Sequence, residues 1–418
     1  MKQLIQIKTM MTFVLVLLMA QPQAQDMLNQ YLMEAAENNP GLRAKYNDYM
    51  AELEQIPQVG TLPDPKIGFG YFIQPVETRV GPQQAKFSVS QMFPWFGTLG
   101  AREDVITEKV KAKLEALEDA RSILYYNVKA AFYNLYVTKR SIEITRENIE
   151  ILNTFRDIAL DKVETGKSSA VDVLRAEIEI SDLENQLADL LDLKNSQQVA
   201  FNNLLNVESE RSVLLPEELQ ATEETFEAVA MLDSIRQNNH SILKLQYLET
   251  AFAKQQDAAV KMGMPGFAVG VDYIMIGKSD GPVPEPFTSG RDAIVFPTVG
   301  VTIPLYRNKY KSMVQEAVYR QDAAVSQKEE RFNMLETLLA KTGKEYRDAD
   351  RRLPLYQLQT ERARKAVNLL ETEYATEGTN FEEILRMERQ LLKYRLETEK
   401  ARADKNAAIA FVNYLMGK

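Results

Sequence analysis

Histidine and cysteine carry much of the nucleophilic and metal chemistry of proteins. This chain has one histidine, His240, and no cysteine. Disulfides, thiolate metal sites, cysteine nucleophiles and a lipid-bearing cysteine behind a signal segment are thereby excluded. A His-rich metal centre or a histidine-based triad is left with a single candidate. His240 lies in a segment of helical pattern and reads as a packing or surface residue rather than a ligand. Met262 and Met264 lie close together, but two of 16 scattered methionines do not make a copper path. No G-x-S-x-G, P-loop, H-E-x-x-H or G-x-G-x-x-G occurs. The many carboxylates lie along helix faces, where solvation accounts for them. The expectation is a non-enzyme with no catalytic residue, cofactor or metal site. The net charge of −9, without a Lys/Arg block, also argues against a nucleic-acid partner.

The residues that keep chemical interest come in two matched sets. Gly166 is followed by Asp172 and Arg175, and Gly378 by Glu383 and Arg386. A glycine permits reversal between two helices. An acid at the start of the returning helix favours its dipole. An arginine three residues on can pair with that acid, although on a solvated face such a pair contributes little.

Long helices must position these turns. Between about Leu99 and Glu164 there is no proline and, after Gly100, no glycine, so a helix of about 100 Å is expected. Val110, Leu114, Leu117, Leu124, Val128, Ala131, Leu135, Ile142, Ile149 and Leu152 fall on one 3-4-3-4 seam, interrupted by Arg121, Thr138 and Thr145. The pattern resumes through Ala176, Ile180, Leu183 and Phe201, and again through Ile384, Met387, Leu391 and Val412. Such spacing means side-by-side, coiled-coil-like packing.

At two places the period changes to 2. Ile67, Phe69 and Tyr71 alternate with Lys66, Gly68 and Gly70, and Phe87 and Val89 with Lys86, Ser88 and Ser90. Phe267, Val269, Val271 and Tyr273 form a third set, and Val299, Val301 and Ile303 a fourth. One face is large and apolar, the other small or polar. That suits a barrel wall between lipid and water, or a sheet with one face on a core. Pro65, Pro94, Pro265 and Pro304 border the strands. The stretches Gln74–Gln84 and Gly277–Arg291, rich in Gly, Pro and charge, read as exposed loops. Phe93, Trp95 and Phe96 follow the second strand and read as core aromatics or an interfacial girdle.

The halves match in order. Asn38-Asn39 corresponds to Asn238-Asn239, and the close of one half at Asn206 to that of the other at Gly417. Leu174-Arg175-x-Glu177 and Leu385-Arg386-x-Glu388 share three residues at equal spacing. The expected organisation is a signal peptide over 1–24, a first repeat over 25–206, a linker over 207–224 and a second repeat over 225–418. Strands are expected at about 65–73, 85–93, 266–275 and 295–304, and hairpin tips near 166 and 378. The signal reading rests on Lys2 and Lys8 ahead of an apolar run too short to span a bilayer. Four strands cannot close a barrel, so several chains would have to share one.

The turns Thr165-Gly166-Lys167…Asp172-Val173-Leu174 and Glu377-Gly378-Thr379…Glu383-Ile384-Leu385, set in this duplicated pattern, resemble the TolC family of outer-membrane efflux proteins. Thr165 and Glu377 stand where the family often has valine, Glu383 replaces an aspartate, and the second turn is one residue shorter. The resemblance covers about residues 26–418 and looks similar to the CusC/CzcC-like heavy-metal branch. It implies a mainly α fold with a small β part, in which a homotrimer closes a 12-stranded outer-membrane β-barrel. A long periplasmic helical tube would dock onto a membrane-fusion adaptor and an inner-membrane pump, and substrate would pass without chemistry. Asp172 and Glu383 would form acidic rings at the pore aperture, with Arg175 and Arg386 beside them. Thr165, Gly166, Lys167, Glu377, Gly378 and Thr379 would meet the adaptor, and Phe93, Trp95 and Phe96 would form the barrel's lipid-facing girdle. The reading from another class is a secreted or periplasmic coiled-coil scaffold without a channel. Only the alternating, proline-bordered strands count against it.

Overall fold

The computed structural model describes residues 23–377 and 381–418. The expected signal segment falls almost wholly outside them. The elements run α1 (Gln23–Asn38), α2 (Pro40–Leu53), α3 (Gln55–Gly60), β1 (Lys66–Thr78), β2 (Gly81–Phe93), α4 (Thr98–Glu164) and α5 (Ala170–Leu205). They continue with α6 (Ala228–Asn238), α7 (His240–Met262), β3 (Gly266–Ile276), β4 (Ala293–Thr302), α8 (Arg307–Glu377) and α9 (Phe381–Leu415). The chain is mainly helical with four antiparallel strands. Among the described residues no helix is long and apolar enough to cross a membrane.

Two compact units are present. One holds residues 46–116 and 241–331, the other the remaining described residues. In the first, the strands form one antiparallel sheet in the order β1-β2-β3-β4. Register aligns the large residues in rows: Phe69 opposite Phe87 opposite Tyr273, and Ile67 opposite Val89 opposite Val271. The Phe69 and Phe87 rings lie 4.9 Å apart. Yet Ile67 is 82% exposed and Phe69 65%. Phe87, Val89, Val269, Tyr273, Val299 and Val301 are exposed as well. A sheet folded onto a core would bury this face. The opposite face carries Gly68, Ser88 and Asp272, with Lys86 paired to Asp272 at 2.9 Å.

The first loop is shorter than the composition of Gln74–Gln84 suggested. Val76, Glu77 and Thr78 pair with Gln83, Pro82 and Gly81, leaving Arg79 and Val80 as the turn. The register shifts between Tyr71 and Val76, and Pro75 sits in that irregular stretch. A proline has no N–H to give a ladder, and an edge strand with a bulge accommodates it. Edge strand β4 likewise contains Pro297.

In the helical unit, Leu124, Val128, Leu135, Ile142 and Leu152 of the expected α4 seam are buried. The interruptions Thr138 and Thr145 are buried with them, so the core stripe is wider than its apolar residues alone. In the other unit Leu114 departs from the seam and is 38% exposed.

The matched asparagines do the same work in both halves. Asn39 Nδ2 donates to the Leu204 carbonyl at 3.0 Å, and Asn239 Nδ2 to the Leu415 carbonyl at 2.9 Å. Each of those helices ends on a left-handed residue, Asn206 at φ 54° and Gly417 at φ 74°. The backbone bonds Val207 N to Asn202 O and Lys418 N to Asn413 O close the two ends alike. At Gly417 a side chain would also meet the Asn238 carbonyl at 2.3 Å.

Residues 207–224 join the halves without forming helix or strand. Their backbone groups are bonded by side chains instead, as polar groups away from water require. Asn202 donates to the carbonyls of Ser209 and Arg211, and the Tyr31 hydroxyl accepts from Leu214 N. The Tyr136 hydroxyl accepts from Leu219 N at 3.0 Å and donates to Glu399 at 2.7 Å. Asn406 donates to Gln220 O and accepts from Thr222 N, and Tyr346 donates to Glu224 O.

Candidate functional site at the helix-hairpin tips

Helix α4 ends at a glycine that takes φ 73°, a conformation costly for any residue with a Cβ. Gly166 N bonds Val163 O and Lys167 N bonds Lys162 O, which satisfies the last carbonyls of the helix. Helix α5 restarts with Ser169, whose side chain accepts from Val171 N. Thr165, Gly166 and Lys167 are exposed. The Thr165 hydroxyl donates back to Asp161 O. In the second hairpin Glu377 closes α8, while Gly378 and Thr379 lie outside the described residues.

The ends of the two hairpins meet. The Lys162 ammonium donates to the Tyr374 carbonyl and lies 3.9 Å from that ring. Tyr374 packs on Phe381 at 5.3 Å, above a core of Leu152, Phe155, Ala159, Ala176, Ile180 and Ile384.

Asp172 accepts from the Ser168 hydroxyl at 2.7 Å and pairs with Arg175 at 3.4 Å. Glu383 pairs with Arg386 at 2.5 Å. Each matched acid thus finds the arginine three residues on. The link between the hairpins runs through Arg175 and through residues outside the matched sets. Arg175 Nε reaches Glu382 at 3.2 Å, and Arg389 reaches Glu382 at 3.3 Å and Glu179 at 3.5 Å. Partial burial pushes the Glu179 carboxyl up, and Arg389 opposes that. Sequence reasoning missed Glu179, Glu382 and Arg389. Their signal was spacing: Glu179 lies four residues after Arg175, and Glu382 seven before Arg389, intervals that place each pair on one helix face.

Behind this network Glu388 is 3% exposed. Asn148 Nδ2 donates to it at 3.1 Å. Burial holds its carboxyl above the ordinary range, with Glu371 adding to the shift while Asn148 and Arg395 oppose it. Arg395 is itself paired with Glu147 at 2.5 Å. Among the described residues no group of three or more His, Asp or Glu side chains is arranged to hold a metal ion. His240 opens α7 and is half-buried.

In the unit that holds the sheet, Trp95 stacks on Phe267 at 6.0 Å and meets Phe96 at 5.9 Å. Phe96 is 79% exposed, with Phe93, Leu305 and Tyr306 exposed as well.

This combination, a small sheet with an exposed apolar face and paired long helical hairpins, is the fold of solved outer-membrane channels. The chain superposes on the outer-membrane channel OprN with a TM-score of 0.74, at 18% identity over 94% of this chain and 90% of that one. It superposes on the outer membrane protein VceC of Vibrio cholerae with a TM-score of 0.76, at 15% identity over 94% and 97%. For CusC, described as forming a transmembrane channel, the TM-score is 0.74, at 15% identity over 94% and 92%. No curated protein matches the sequence. Residues 31–207 match the family described as outer membrane efflux protein.

Proposed function

We propose that three copies of this chain form the outer-membrane duct of a tripartite efflux system. The observation that carries this reading is the sheet, which has four strands, two open edges and a continuous exposed apolar face. Lipid is the medium in which such a face is stable, and barrel closure is the arrangement that satisfies the edges. Twelve strands would complete the wall, with Phe93, Trp95 and Phe96 at its inner-leaflet rim. The helical hairpins of the two repeats would continue as a periplasmic tube. The turns Thr165-Gly166-Lys167 and Glu377-Gly378-Thr379 would meet a membrane-fusion adaptor fed by an inner-membrane pump. Three copies each of Asp172 and Glu383 would line the aperture. The pairs from Arg175 and Arg389 to Glu382 and Glu179 would hold the hairpins together in the closed state.

Single-channel recording in planar bilayers tests this. The wild type is expected to conduct in small steps, and the double variant Arg175→Ala/Arg389→Ala to stay open longer. Exposed ion pairs contribute at most about 1 kcal/mol each. Two such contributions shift the open-to-closed ratio of each chain's hairpins by up to about 30-fold. Absence of conductance from both proteins, or a monomer in mild detergent, overturns the reading.

A further inference from the structure

The motif shared by the two returning helices meets different surroundings in each. Leu174 and Glu177 of α5 are exposed, whereas their counterparts on α9, Leu385 and Glu388, are buried. The second turn is one residue shorter, and one residue turns a helix face by about 100°. The same pattern thus carries its acid to solvent in one hairpin and into the core in the other.

The site around Glu388 is dry and lies on the joint between the hairpins. One turn to either side on α9 stand Ile384, Leu385, Leu391 and Leu392, all buried. Across the joint, Asn148 of α4 is buried with Ile144 and Leu152 a turn away on either side. It gives Glu388 the single hydrogen bond that this carboxyl receives among the described residues. The charged groups that act on Glu388 are Glu371 of α8, which disfavours a second negative charge, and Arg395 of α9, which favours it. Arg395 is already engaged by Glu147 of α4. Helix α5 gives this core Ala176, Ile180 and Leu183, and its Glu179 is held by Arg389. An ionised carboxylate in such a place, with one neutral donor and its cation engaged elsewhere, is strongly disfavoured. A neutral acid can stay there.

We propose that Glu388 is a proton-controlled latch between the two hairpins. With its proton it packs as a neutral side chain, and α9 stays against α4 and α8. When the proton passes to solvent, the carboxylate takes up water and the joint loosens. In the duct proposed above this would free the tips as pH rises, and that part alone rests on the duct reading. Loosening exposes the carboxyl, which then ionises in the ordinary range, whereas burial holds it higher in the packed joint. Between those ranges each loosening releases one proton, so the loosened-to-packed ratio of a chain rises about tenfold per pH unit.

Hydrogen exchange on full-length protein in detergent, from about pH 5 to about pH 8 and corrected for intrinsic rates, tests the latch without requiring a channel. Amides of Ile384–Leu392 are expected to open more in wild type as pH rises, and Glu388→Gln to remove the rise. That variant leaves Asp172, Glu382 and Glu383 in place, so a response caused by them persists in it. Glu371→Gln keeps the latch and removes the neighbouring charge, and is expected to narrow the rise. A flat wild-type profile, or an equal rise in Glu388→Gln, overturns the latch. Single-channel recording over the same pH range then reads the gate, whose open fraction is expected to follow the exchange. An open fraction that ignores pH while exchange follows it overturns the gating role. Absence of conductance from every chain, with exchange as expected, overturns the duct and supports the latch.

Discussion

Replacing Tyr136 with Phe removes one oxygen atom and leaves the ring, which is fully buried. That oxygen accepts from Leu219 N at 3.0 Å and donates to Glu399 at 2.7 Å, tying the linker to α4 and α9. Losing it strands a buried N–H, at a cost of about 1–3 kcal/mol, and a bond to a charged acceptor contributes about 1.5–3 kcal/mol. The sum is discounted because Arg402 still serves Glu399 at 3.3 Å. We expect a destabilisation of about 2–4 kcal/mol, concentrated in the linker. Hydrogen exchange followed by mass spectrometry reads it locally. A loss of 2 kcal/mol speeds exchange of the Leu219 amide about 30-fold. Alkaline pH gives a second signature. Burial and the Glu399 bond push the Tyr136 hydroxyl from 10.0 up to about 12. Between those values the folded chain holds a proton that the unfolded chain has released, so stability falls as pH rises through the window. The Phe variant loses that share of the slope and keeps the one from Tyr133, whose hydroxyl burial also pushes up to about 12. Exchange at Leu219 within twofold of wild type, together with an unchanged alkaline slope, would show that the hydroxyl does not hold the linker.

Glu388→Gln keeps the acceptor for Asn148 and removes the buried charge. The folded carboxyl titrates above its ordinary 4.5, so it destabilises the native state increasingly as pH rises from there. The variant should match wild type in acid melting and exceed it at neutral pH; a lower neutral Tm refutes this. Asn39→Ala and Asn239→Ala each leave a helix-end carbonyl without its donor, and each should cost about 1–3 kcal/mol in denaturant unfolding. Markedly unequal losses would show that the two bonds are not equivalent. Phe69→Arg places a charge on the apolar face and should cost about 2–4 kcal/mol in lipid, against little for Ser88→Arg on the other face. Equal costs would remove the case for lipid on that side.

Much of this was legible because periodicity reports on faces. The alternation of Ile67, Phe69 and Tyr71 marked a strand and the side on which its large residues stand. Pro65 marked the start of β1, Pro94 the end of β2 and Pro265 the start of β3. Gly166 announced a left-handed helix end. What stayed hidden depends on partners far away in sequence. The pairing of Val76–Thr78 with Gly81–Gln83 lies in a polar, proline-containing stretch whose composition reads as loop, and only a register shift at the sheet edge admits it. The linker has no period, since its order comes from Tyr31, Tyr136, Tyr346 and Asn406 on helices elsewhere. At the tips the sequence pointed to Asp172–Arg175 and Glu383–Arg386, pairs within one helix. The links between hairpins through Glu382 and Arg389 required knowing which helix face turns toward which.

The sheet's open edges bear on how the protein comes into being. A lone copy exposes the outer backbone rows of β1 and β4 together with an oily face, so before closure it is a template for any extended peptide nearby. Pro75 and Pro297 blunt those rows without eliminating them. In the assembly proposed above, biogenesis would be a race between correct closure and promiscuous strand capture. Its outcome would depend on escort and on delivery of several copies to one patch of membrane. Dilution, which protects most folding proteins from aggregation, would then leave this one unfinished.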